Sequence, residues 1–411
     1  MLKVDKLGLD MKNLFYNFEE LKTPCFVFDE EHLFKNYNNL INTFKNIWGN
    51  KLVIGYSVKT NSLPWVLCWM REHGALAEVV SEDEYYLARK IGFPPKNIIY
   101  NGPIKGKESL LEALNSGAIV NLDSFSEIEF IREHAQNHSV IWNVGLRINF
   151  DLESSCPSET IMGNEPGRFG FNIENGSLDS AIYELGKINN VRIVGLHAHH
   201  STKTKSLNVF RVLCAHCCRV SEKIKNEITY IDIGGCFFGD KPNTPTYDDY
   251  AKLIKTELNK SPKLENCSLI LEPGTALIAT AFSYLVSVID KKDCKNKRIL
   301  TTDGSLIHID PLMHGIRHHL EIFSDSNKFI ETQILAGFTC VEKDRLAQLE
   351  NEKELELNDR ILFKVTGAYT ISMSPLFIQN YPIIYELKNG NYHIIRNRWT
   401  VENFMQNCEV F

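Results

Sequence analysis

The chain lacks the sequence features of membrane, secreted and nucleic-acid-binding proteins. No apolar run among its 411 residues is long enough to span a bilayer. Five charged residues interrupt the region where a signal peptide would need an apolar stretch, namely Lys3, Asp5, Lys6, Asp10 and Lys12. The formal net charge of -6 argues against a basic surface for nucleic acid. We therefore expect a globular protein of the cytoplasm that binds neither membranes nor nucleic acids.

The eleven cysteines are dispersed along the chain and do not have the paired spacing of a disulfide framework. The tightest group, Cys214 to Cys218, contains a C-x-x-C spacing and His216. A zinc site of this kind needs a second pair of ligands, but no further C-x-x-C or H-x-x-x-H follows. The pattern around the group is helical, so we interpret these cysteines as ordinary helix residues and expect no metal.

Eight short apolar runs recur along the chain up to Gly274, with helix-length connections between them. They are KLVIGYSVK (51–59), LAEVV (76–80), NIIYNG (97–102), AIVNLD (118–123), VGLRIN (144–149), VRIVGLHAHH (191–200), YIDIGG (230–235) and LILEPG (269–274). Strands this apolar fit a parallel sheet that is buried on both faces. The pattern predicts an α/β protein with a (β/α)8 barrel of the TIM type over residues 30–275.

The rhythm changes after Gly274, where short β-rich segments such as RILTTDG, RILFKVTGAY and NYHIIRNRW are separated by turn-forming residues. No long helical pattern lies between them. We predict a second, mostly antiparallel β domain that is built from residues 276–411 together with residues 1–29. The strand-like segment CFVFD (25–29) is expected to join it.

Reactive side chains stand at the ends of the predicted barrel strands, where barrel enzymes place their active sites. Lys59 ends the first strand, and desolvation there lowers the pKa of an amine and frees it to add to a carbonyl. Taken alone, a solvated strand end is the simpler interpretation of this lysine. His197 and His199 share one face of the sixth strand. They are candidates for a metal pair, for a ring that stacks on an aromatic cofactor, or for packed core histidines.

The seventh and eighth strands end in groups of a different kind. Gly234 and Gly235 have no side chains, so backbone N–H groups can approach a phosphate there. Glu272 directs a carboxylate at the same barrel mouth, unless it pairs with a structural arginine such as Arg147. Together the strand ends supply an amine for an aldehyde, a phosphate cradle, a flat ring and an acid for a ring nitrogen. Those are the requirements of pyridoxal 5'-phosphate.

The chain also resembles a known family, the fold-type III pyridoxal-phosphate decarboxylases. This group includes the diaminopimelate, ornithine/arginine and carboxynorspermidine decarboxylases. The matching segments follow one another in family order over about residues 30–380. They are YSVKTN, EVVSEDE, RFG at 168–170, GLHAHHST, IDIGGCF, EPGT, TCVEKD and GAYTISMS.

The resemblance implies roles for individual residues. Lys59 is expected to carry the cofactor as a Schiff base, His199 to stack on the pyridine ring and Glu272 to pair with the protonated ring nitrogen. The residues expected at the phosphate are Gly234, Gly235, Cys236, Thr202 and Tyr369. The residues expected to support the site from further out are Glu78, Glu84 and Arg147.

Cys340 matches the family residue that reaches in from the neighbouring subunit and returns a proton to the substrate carbon. The resemblance therefore implies a homodimer with shared active sites. The alternative for Cys340 is a small buried hydrophobic residue.

The chain departs from the family pattern at positions expected to face the phosphate or the substrate. Thr275 replaces the arginine that follows E-P-G, and Cys236 replaces the third glycine of its loop. Other departures are His200, Ser201, Val341 and Glu342. We expect Thr275 and Glu342 to contact the substrate. The cofactor residues are retained while these positions differ.

The residues therefore predict an α-decarboxylase that acts on an amino acid, or on an amino-acid moiety of a larger molecule. Specialised metabolism, such as siderophore or peptide-antibiotic tailoring, is the expected setting. A diaminopimelate decarboxylase of lysine biosynthesis is the alternative, and a catalytically silent homologue that binds a partner stays open.

Two other enzyme classes fit less well. A racemase of this barrel type has a basic partner at the pyridine nitrogen, where this chain has Glu272. A metal hydrolase that uses His197 and His199 would have an H-x-H on its first strand and an aspartate on its eighth.

Overall fold

The computed structural model of the protein describes residues 18–135, 140–237, 243–295 and 297–409. The first seventeen residues of the predicted 1–29 segment lie outside this range. The strands are β1 (Cys25–Asp29), β2 (Leu52–Ser57), β3 (Leu76–Val79), β4 (Ile98–Tyr100), β5 (Ile119–Leu122), β6 (Trp142–Asn149), β7 (Phe171–Asn172), β8 (Val191–His197), β9 (Tyr230–Asp232), β10 (Ser268–Leu271), β11 (Phe282–Cys294), β12 (Lys297–Thr302), β13 (Leu320–Phe323), β14 (Phe329–Ala336), β15 (Arg345–Lys353), β16 (Arg360–Lys364), β17 (Ile383–Lys388) and β18 (Asn391–Arg396). The helices are α1 (Glu30–Trp48), α2 (Pro64–Glu72), α3 (Glu82–Ile91), α4 (Lys107–Asn115), α5 (Phe125–Ala135), α6 (Ser177–Gly186), α7 (Leu207–Ser221), α8 (Tyr247–Leu258), α9 (Thr275–Ile278), α10 (Leu306–Ile309) and α11 (Val401–Met405).

The chain divides into two compact units. One unit comprises residues 36–276, and the other combines the residues up to 35 with residues 277–411. The first boundary falls inside α1, because the chain passes from β1 directly into this helix. The Asp29 carboxylate starts the helix by accepting a hydrogen bond from the His32 N–H at 2.9 Å. The sequence placed this boundary at residue 30 instead.

The unit of residues 36–276 is a closed parallel barrel of eight strands, as predicted. Its strand order is β5-β4-β3-β2-β10-β9-β8-β6, and the pairing of β5 with β6 closes the ring. The barrel strands are parallel to their neighbours. Because helices follow most of them, the strands are covered on both faces, which explains their apolar sequences.

Tyr230 fills the barrel interior opposite two glycines. A Cβ atom at Gly195 would lie 2.1 Å from the Tyr230 ring, and one at Gly145 would lie 2.2 Å from its hydroxyl. The ring therefore occupies space that only glycine leaves open. Ile99 and Ile270 pack with Tyr230 in this layer, and the polar ends of the strands lie above it.

Helix α3 shows how the connecting segments end. The Ser81 side chain accepts a hydrogen bond from the Glu84 N–H at 3.2 Å, which caps the first turn. Gly92 ends the helix with a positive φ of 97°, a conformation that glycine adopts at little cost. The acidic first turn and the glycine stop read from the sequence are thus both present.

The second unit contains a nine-stranded, mostly antiparallel sheet, as predicted. Its main path is β15-β14-β12-β11-β1-β17-β18, and β13 and β16 extend it from β11. The strand β1, which contains CFVFD, lies inside this sheet, antiparallel to β11 and parallel to β17. The pairing of β12 with β14 is also parallel.

The cysteine group at 214–218 lies on α7, as the helical pattern indicated. Cys214 and Cys217 are buried, and burial raises the pKa of both thiols. His216 stacks on Phe150 with ring centroids 3.8 Å apart. All eleven cysteines of the chain are free thiols.

Among the described residues, none of the helices combines the length and the apolar composition that crossing a membrane requires.

Candidate active site

Lys59 lies just beyond β2, in a short helical turn at 58–60. Its Nζ donates a hydrogen bond to Glu78 Oε2 at 2.7 Å. The Lys59 side chain is 40% exposed, whereas that of Glu78 is 1% exposed. The amine therefore contacts a buried carboxylate on one side and is open to the barrel mouth on the other. Glu78, which is predicted to support the site from further out, does so by direct contact with Lys59.

Three donors hold the Glu78 carboxylate. Oε2 also accepts from Ser57 Oγ at 2.7 Å, and Oε1 accepts from Asn101 Nδ2 at 3.1 Å. Burial by itself raises the pKa of Glu78, but the Lys59 charge and these hydrogen bonds outweigh it and hold the pKa below its ordinary value. Glu78 is therefore ionised and accepts a hydrogen bond from the Lys59 amine.

A second carboxylate, Glu272, follows β10 and is buried beside Asp232 of β9. A carboxyl oxygen of each lies within 4.8 Å of the other. Asn101 Nδ2 also donates to Glu272 Oε1, so one amide connects Glu272 with Glu78. Burial, reinforced by the Asp232 charge, raises the pKa of Glu272 well above its ordinary value. Burial raises the pKa of Asp232 to about 7.

The three histidines at the end of β8 point in two directions, as the strand alternation predicted. The His197 and His199 rings are nearly parallel, at 16°, with centroids 6.5 Å apart. His200 instead packs against Phe150 with centroids 4.6 Å apart. Burial lowers the pKa of His199 to about 3 and that of His200 to about 4, so both rings are neutral near pH 7.

His197 is the most enclosed of the three. It is 1% exposed, and both of its ring nitrogens are buried without a hydrogen-bond partner among the residues that the structure describes. Its Nε2 lies 3.7 Å from Glu272 Oε2. Burial keeps the pKa of His197 well below its ordinary value, so the ring is neutral and does not form an ion pair with Glu272.

The glycine loop after β9 wraps closely around the other groups. Gly234 has a positive φ of 68°, and a Cβ there would lie 2.3 Å from His199 Nδ1. A Cβ at Gly235 would lie 2.4 Å from the Glu272 carbonyl oxygen. The Gly234 N–H donates to Asp232 Oδ1 at 2.9 Å, so this donor is already used within the protein. Cys236, which stands where the family has a third glycine, also adopts a positive φ of 72°.

The supporting residues take different partners from those expected. Arg147 pairs with Asp123 at 3.2 Å and lies over the Phe169 ring, so its suggested pairing with Glu272 is wrong. Asp123 follows β5, the neighbour of β6 in the barrel. Glu84 accepts a hydrogen bond from the Val80 N–H at 2.9 Å, and burial raises its pKa to about 6.

Two further barrel residues belong to the predicted set. Thr202 is buried and forms an isolated β-bridge with Thr160, which ties the segment after β8 to the long segment after β6. Its hydroxyl accepts from the Lys205 N–H at 3.3 Å. Thr275 is exposed at the start of α9.

The remaining predicted residues lie in the β unit. Cys340 and Glu342 are exposed in the segment before β15. Asp344 organises this segment, because its carboxylate accepts from the Thr339 hydroxyl at 2.6 Å and from Ser305 Oγ at 2.8 Å. Tyr369 follows β16 with a positive φ of 57° and is 43% exposed.

Sequence reasoning missed the polar layer that joins these groups. Asn101, Asn121 and Asp232 each stand inside a run that was recognised for its apolar residues or its glycines. Asn121 Nδ2 donates to Asn101 Oδ1 at 2.9 Å, and Tyr230 donates to Asn121 Oδ1 at 2.8 Å. The available signal was a polar residue at or next to the end of three apolar barrel strands.

The geometry fits pyridoxal 5'-phosphate. An amine stands at the mouth, a loop without Cβ atoms lies against His199, and a buried acid faces the same space. The ligand atoms of His197, Asp232 and Glu272 also lie within 4.8 Å of one another, a spacing that a metal ion could use. The lysine and the glycine loop have no role in a metal site of that kind.

A comparison with protein families agrees with the cofactor. Residues 34–279 match the model described as pyridoxal-dependent decarboxylase, pyridoxal binding domain.

Individual relatives share most of the chain. Diaminopimelate decarboxylase of Methanocaldococcus jannaschii is 29% identical over 87% of this chain and 84% of its own length. The L-glutamyl-[BtrI acyl-carrier protein] decarboxylase of Niallia circulans is 24% identical over 97% of this chain and 96% of its own. Among solved structures, diaminopimelate decarboxylase of M. jannaschii matches with a TM-score of 0.86 at 26% identity, over 96% of this chain and 93% of that chain.

Proposed function

Because the chain belongs to the pyridoxal-dependent decarboxylase family, we propose that it removes the α-carboxylate of an amino-acid moiety carried on a larger molecule. The enzyme is a carboxy-lyase that uses pyridoxal 5'-phosphate. Specialised metabolism, such as the tailoring of a siderophore or a peptide antibiotic, is the setting that we propose for it.

The barrel residues have separate tasks in this proposal. Lys59 binds the cofactor aldehyde, and Glu78 holds the Lys59 amine in place by its 2.7 Å contact. Glu272 meets the ring nitrogen, and His199 covers a ring face. The N–H groups of Gly235 and Cys236 bind the phosphate, since that of Gly234 is used by Asp232. When bound, the cofactor supplies an acceptor for the electron pair that departing carbon dioxide leaves behind.

The observation that carries the substrate proposal is the residue after Glu272-Pro-Gly. Thr275 stands there with an exposed side chain, where the resemblance has an arginine. Three cations near the barrel strand ends are already paired with carboxylates, namely Lys59 with Glu78, Lys105 with Glu127 and Arg147 with Asp123. A free substrate with a second carboxylate would need a cation that these pairs do not offer.

The long segment between β6 and β7 supports a larger substrate. It follows a barrel strand and therefore lies at the mouth. Ile161 and Met162 on this segment are 56% and 61% exposed. The relative from N. circulans is named for a glutamyl group on an acyl-carrier protein, which is a substrate of the kind proposed.

Diaminopimelate is the second candidate substrate. The relative from M. jannaschii is named as a diaminopimelate decarboxylase, and a structure of that protein in complex with L-lysine matches this chain with a TM-score of 0.85. Because position 275 is a threonine and not an arginine, binding of the second carboxylate of diaminopimelate requires a cation from another part of the chain.

The proposal extends to the assembly. We propose a homodimer in which Cys340 of one subunit donates a proton to the substrate carbon in the site of the other. Because all eleven cysteines are free thiols, a reducing compartment such as the cytoplasm suits the chain.

A carbon-dioxide release assay tests the substrate proposal. The purified, cofactor-loaded enzyme is supplied in parallel with free L- and D-amino acids, with meso-diaminopimelate, and with amino acids linked as amides or thioesters to a pantetheine group. We expect kcat/KM for at least one conjugate to exceed that of its free amino acid by tenfold or more.

The Lys59→Ala variant is the control for background release. A preference for meso-diaminopimelate would establish the second candidate instead. If every substrate is inert although the cofactor is bound, the chain is a silent homologue and the proposal is wrong.

A further inference from the structure

The side chains of Asp232 and Glu272 form a buried carboxyl pair. They are 0% and 6% exposed, and a carboxyl oxygen of each lies within 4.8 Å of the other. An ionised carboxylate can only accept hydrogen bonds, so two carboxyl groups this close attract each other only when one of them holds a proton. Two adjacent carboxylates in a buried site do not both ionise readily.

Neutral donors surround the pair. Asp232 Oδ1 accepts from the Gly234 N–H at 2.9 Å, and its Oδ2 accepts from Asn121 Nδ2 at 3.4 Å. Glu272 Oε1 accepts from Asn101 Nδ2. Asp232 therefore has both oxygens supplied with donors, whereas Glu272 Oε2 faces the neutral ring of His197 at 3.7 Å. This arrangement favours the proton on Glu272.

The charged neighbours do not neutralise the pair. Lys59 is held by Glu78 at 2.7 Å, and Arg147 is held by Asp123 at 3.2 Å. Glu78 is ionised and adds a further negative charge nearby, which also favours protonation of the pair. Among the described residues, the other titratable groups near the pair include His197, Tyr230 and Cys217, and all three are buried and neutral.

We propose that Asp232 is a positioning residue that keeps one proton on the Asp232–Glu272 pair until the pyridine nitrogen of the cofactor takes it. The O–H bond at Glu272 would break and an N–H bond would form at the ring nitrogen of a cofactor that arrives unprotonated there. The pair changes from one negative charge to two while the ring gains one positive charge. The total charge of the buried group is therefore unchanged, and no proton has to come from water.

The inference depends on the cofactor and not on the substrate proposed above. The measured quantity is the number of protons exchanged with buffer when pyridoxal 5'-phosphate binds to the cofactor-free protein. Calorimetry in buffers of different ionisation enthalpy gives this number at one fixed pH. We expect Asp232→Asn, which has almost the same shape, to take up about one proton more than the wild type. Without Asp232 the amide donates to Glu272, which is then ionised before the cofactor arrives.

Tyr230→Phe is the matched control, because it alters the same buried layer and removes a hydroxyl that donates to Asn121 and not to either carboxyl group. The number of protons that it exchanges with buffer on binding the cofactor should equal that of the wild type. An equal proton number for Asp232→Asn and the wild type would overturn the proposal.

A second measurement needs no variant that might fail to fold. Infrared difference spectra of the wild type, with and without cofactor, should show the loss of one protonated carboxyl band on binding. A spectrum without such a loss would contradict the proposal even if the enzyme turns over the predicted substrate.

Discussion

The Lys59 amine lies 2.7 Å from the buried carboxylate of Glu78, although it remains open to the barrel mouth on its other side. This contact holds the amine above the barrel, in reach of an aldehyde. Lys105, by contrast, is buried and donates to Glu127 Oε1 at 2.9 Å and to the Gly102 carbonyl at 3.0 Å. The two lysines therefore differ in exposure, because Lys59 is open to solvent and Lys105 is buried.

Borohydride reduction of the loaded enzyme should therefore attach the pyridoxyl group to Lys59. Peptide mapping by mass spectrometry locates the label, and Lys59→Ala should remain unlabelled under the same conditions. A label on Lys105, or the absence of a chromophore after the cofactor is supplied, would refute the assignment.

Glu272→Gln should bind the cofactor but lose activity by about a hundredfold or more, the scale of removing one preorganised electrostatic group. A neutral amide cannot stabilise a protonated ring nitrogen, so the electron pair left by carbon dioxide has a poorer acceptor. Steady-state kcat measures the effect. Glu257→Gln is the matched control, because Glu257 is a buried carboxylate on α8 outside the site. Turnover of Glu272→Gln at the control rate would argue against this role.

The sequence predicted the barrel because parallel strands covered on both faces must be apolar, and each of the eight runs became a strand. It also predicted which strand ends carry reactive groups. It did not predict the contacts between them, since the (β/α)8 order gives the neighbouring strands but not which side chains at their ends meet. Asp232 and Glu272 meet because β9 and β10 are adjacent, and Arg147 meets Asp123 because β6 and β5 are adjacent.

The packing of side chains inside the barrel could not be predicted from the sequence either. The opposition of Tyr230 to Gly145 and Gly195 depends on how three neighbouring barrel strands, β9, β8 and β6, pack side by side. The glycine loop was recognised as a phosphate site, but its Gly234 N–H bonds to Asp232 instead. A single strand's pattern contains no information about such partners.

Cys236→Gly should stabilise the cofactor-free protein by about 0.5–1 kcal/mol, because an L-residue at a φ of 72° is strained and glycine is not. Urea unfolding monitored by circular dichroism measures the difference. The same substitution at Cys68, in the interior of α2, is the control and should destabilise the protein by about 1 kcal/mol. A loss of stability in Cys236→Gly would show that the thiol contributes more than the backbone strain costs.

The stability of the cofactor-free protein should fall as the pH drops from about 6.5 towards 4. Burial lowers the pKa of His200 to about 4, so the unfolded chain binds a proton in this window while the folded chain does not. The stabilisation is complete above the unfolded pKa and is lost as the pH falls through this range. His200→Gln should reduce the slope of unfolding free energy against pH, measured in urea at several pH values. An unchanged slope would mean that His200 does not titrate differently in the two states.

Mixing two inactive variants tests whether Lys59 and Cys340 act from different subunits. Lys59→Ala and Cys340→Ala should each be nearly inactive as homodimers. A heterodimer of the two has both lesions in one site and neither in the other, because two-fold symmetry creates two equivalent composite sites. In a random equimolar mixture about half of the dimers are heterodimers, so activity should recover towards about a quarter of the wild-type value. Subunit exchange is verified by native mass spectrometry with one variant isotopically labelled. No recovery despite proven exchange would place both residues in the same subunit's site. An active monomer would contradict the shared site directly.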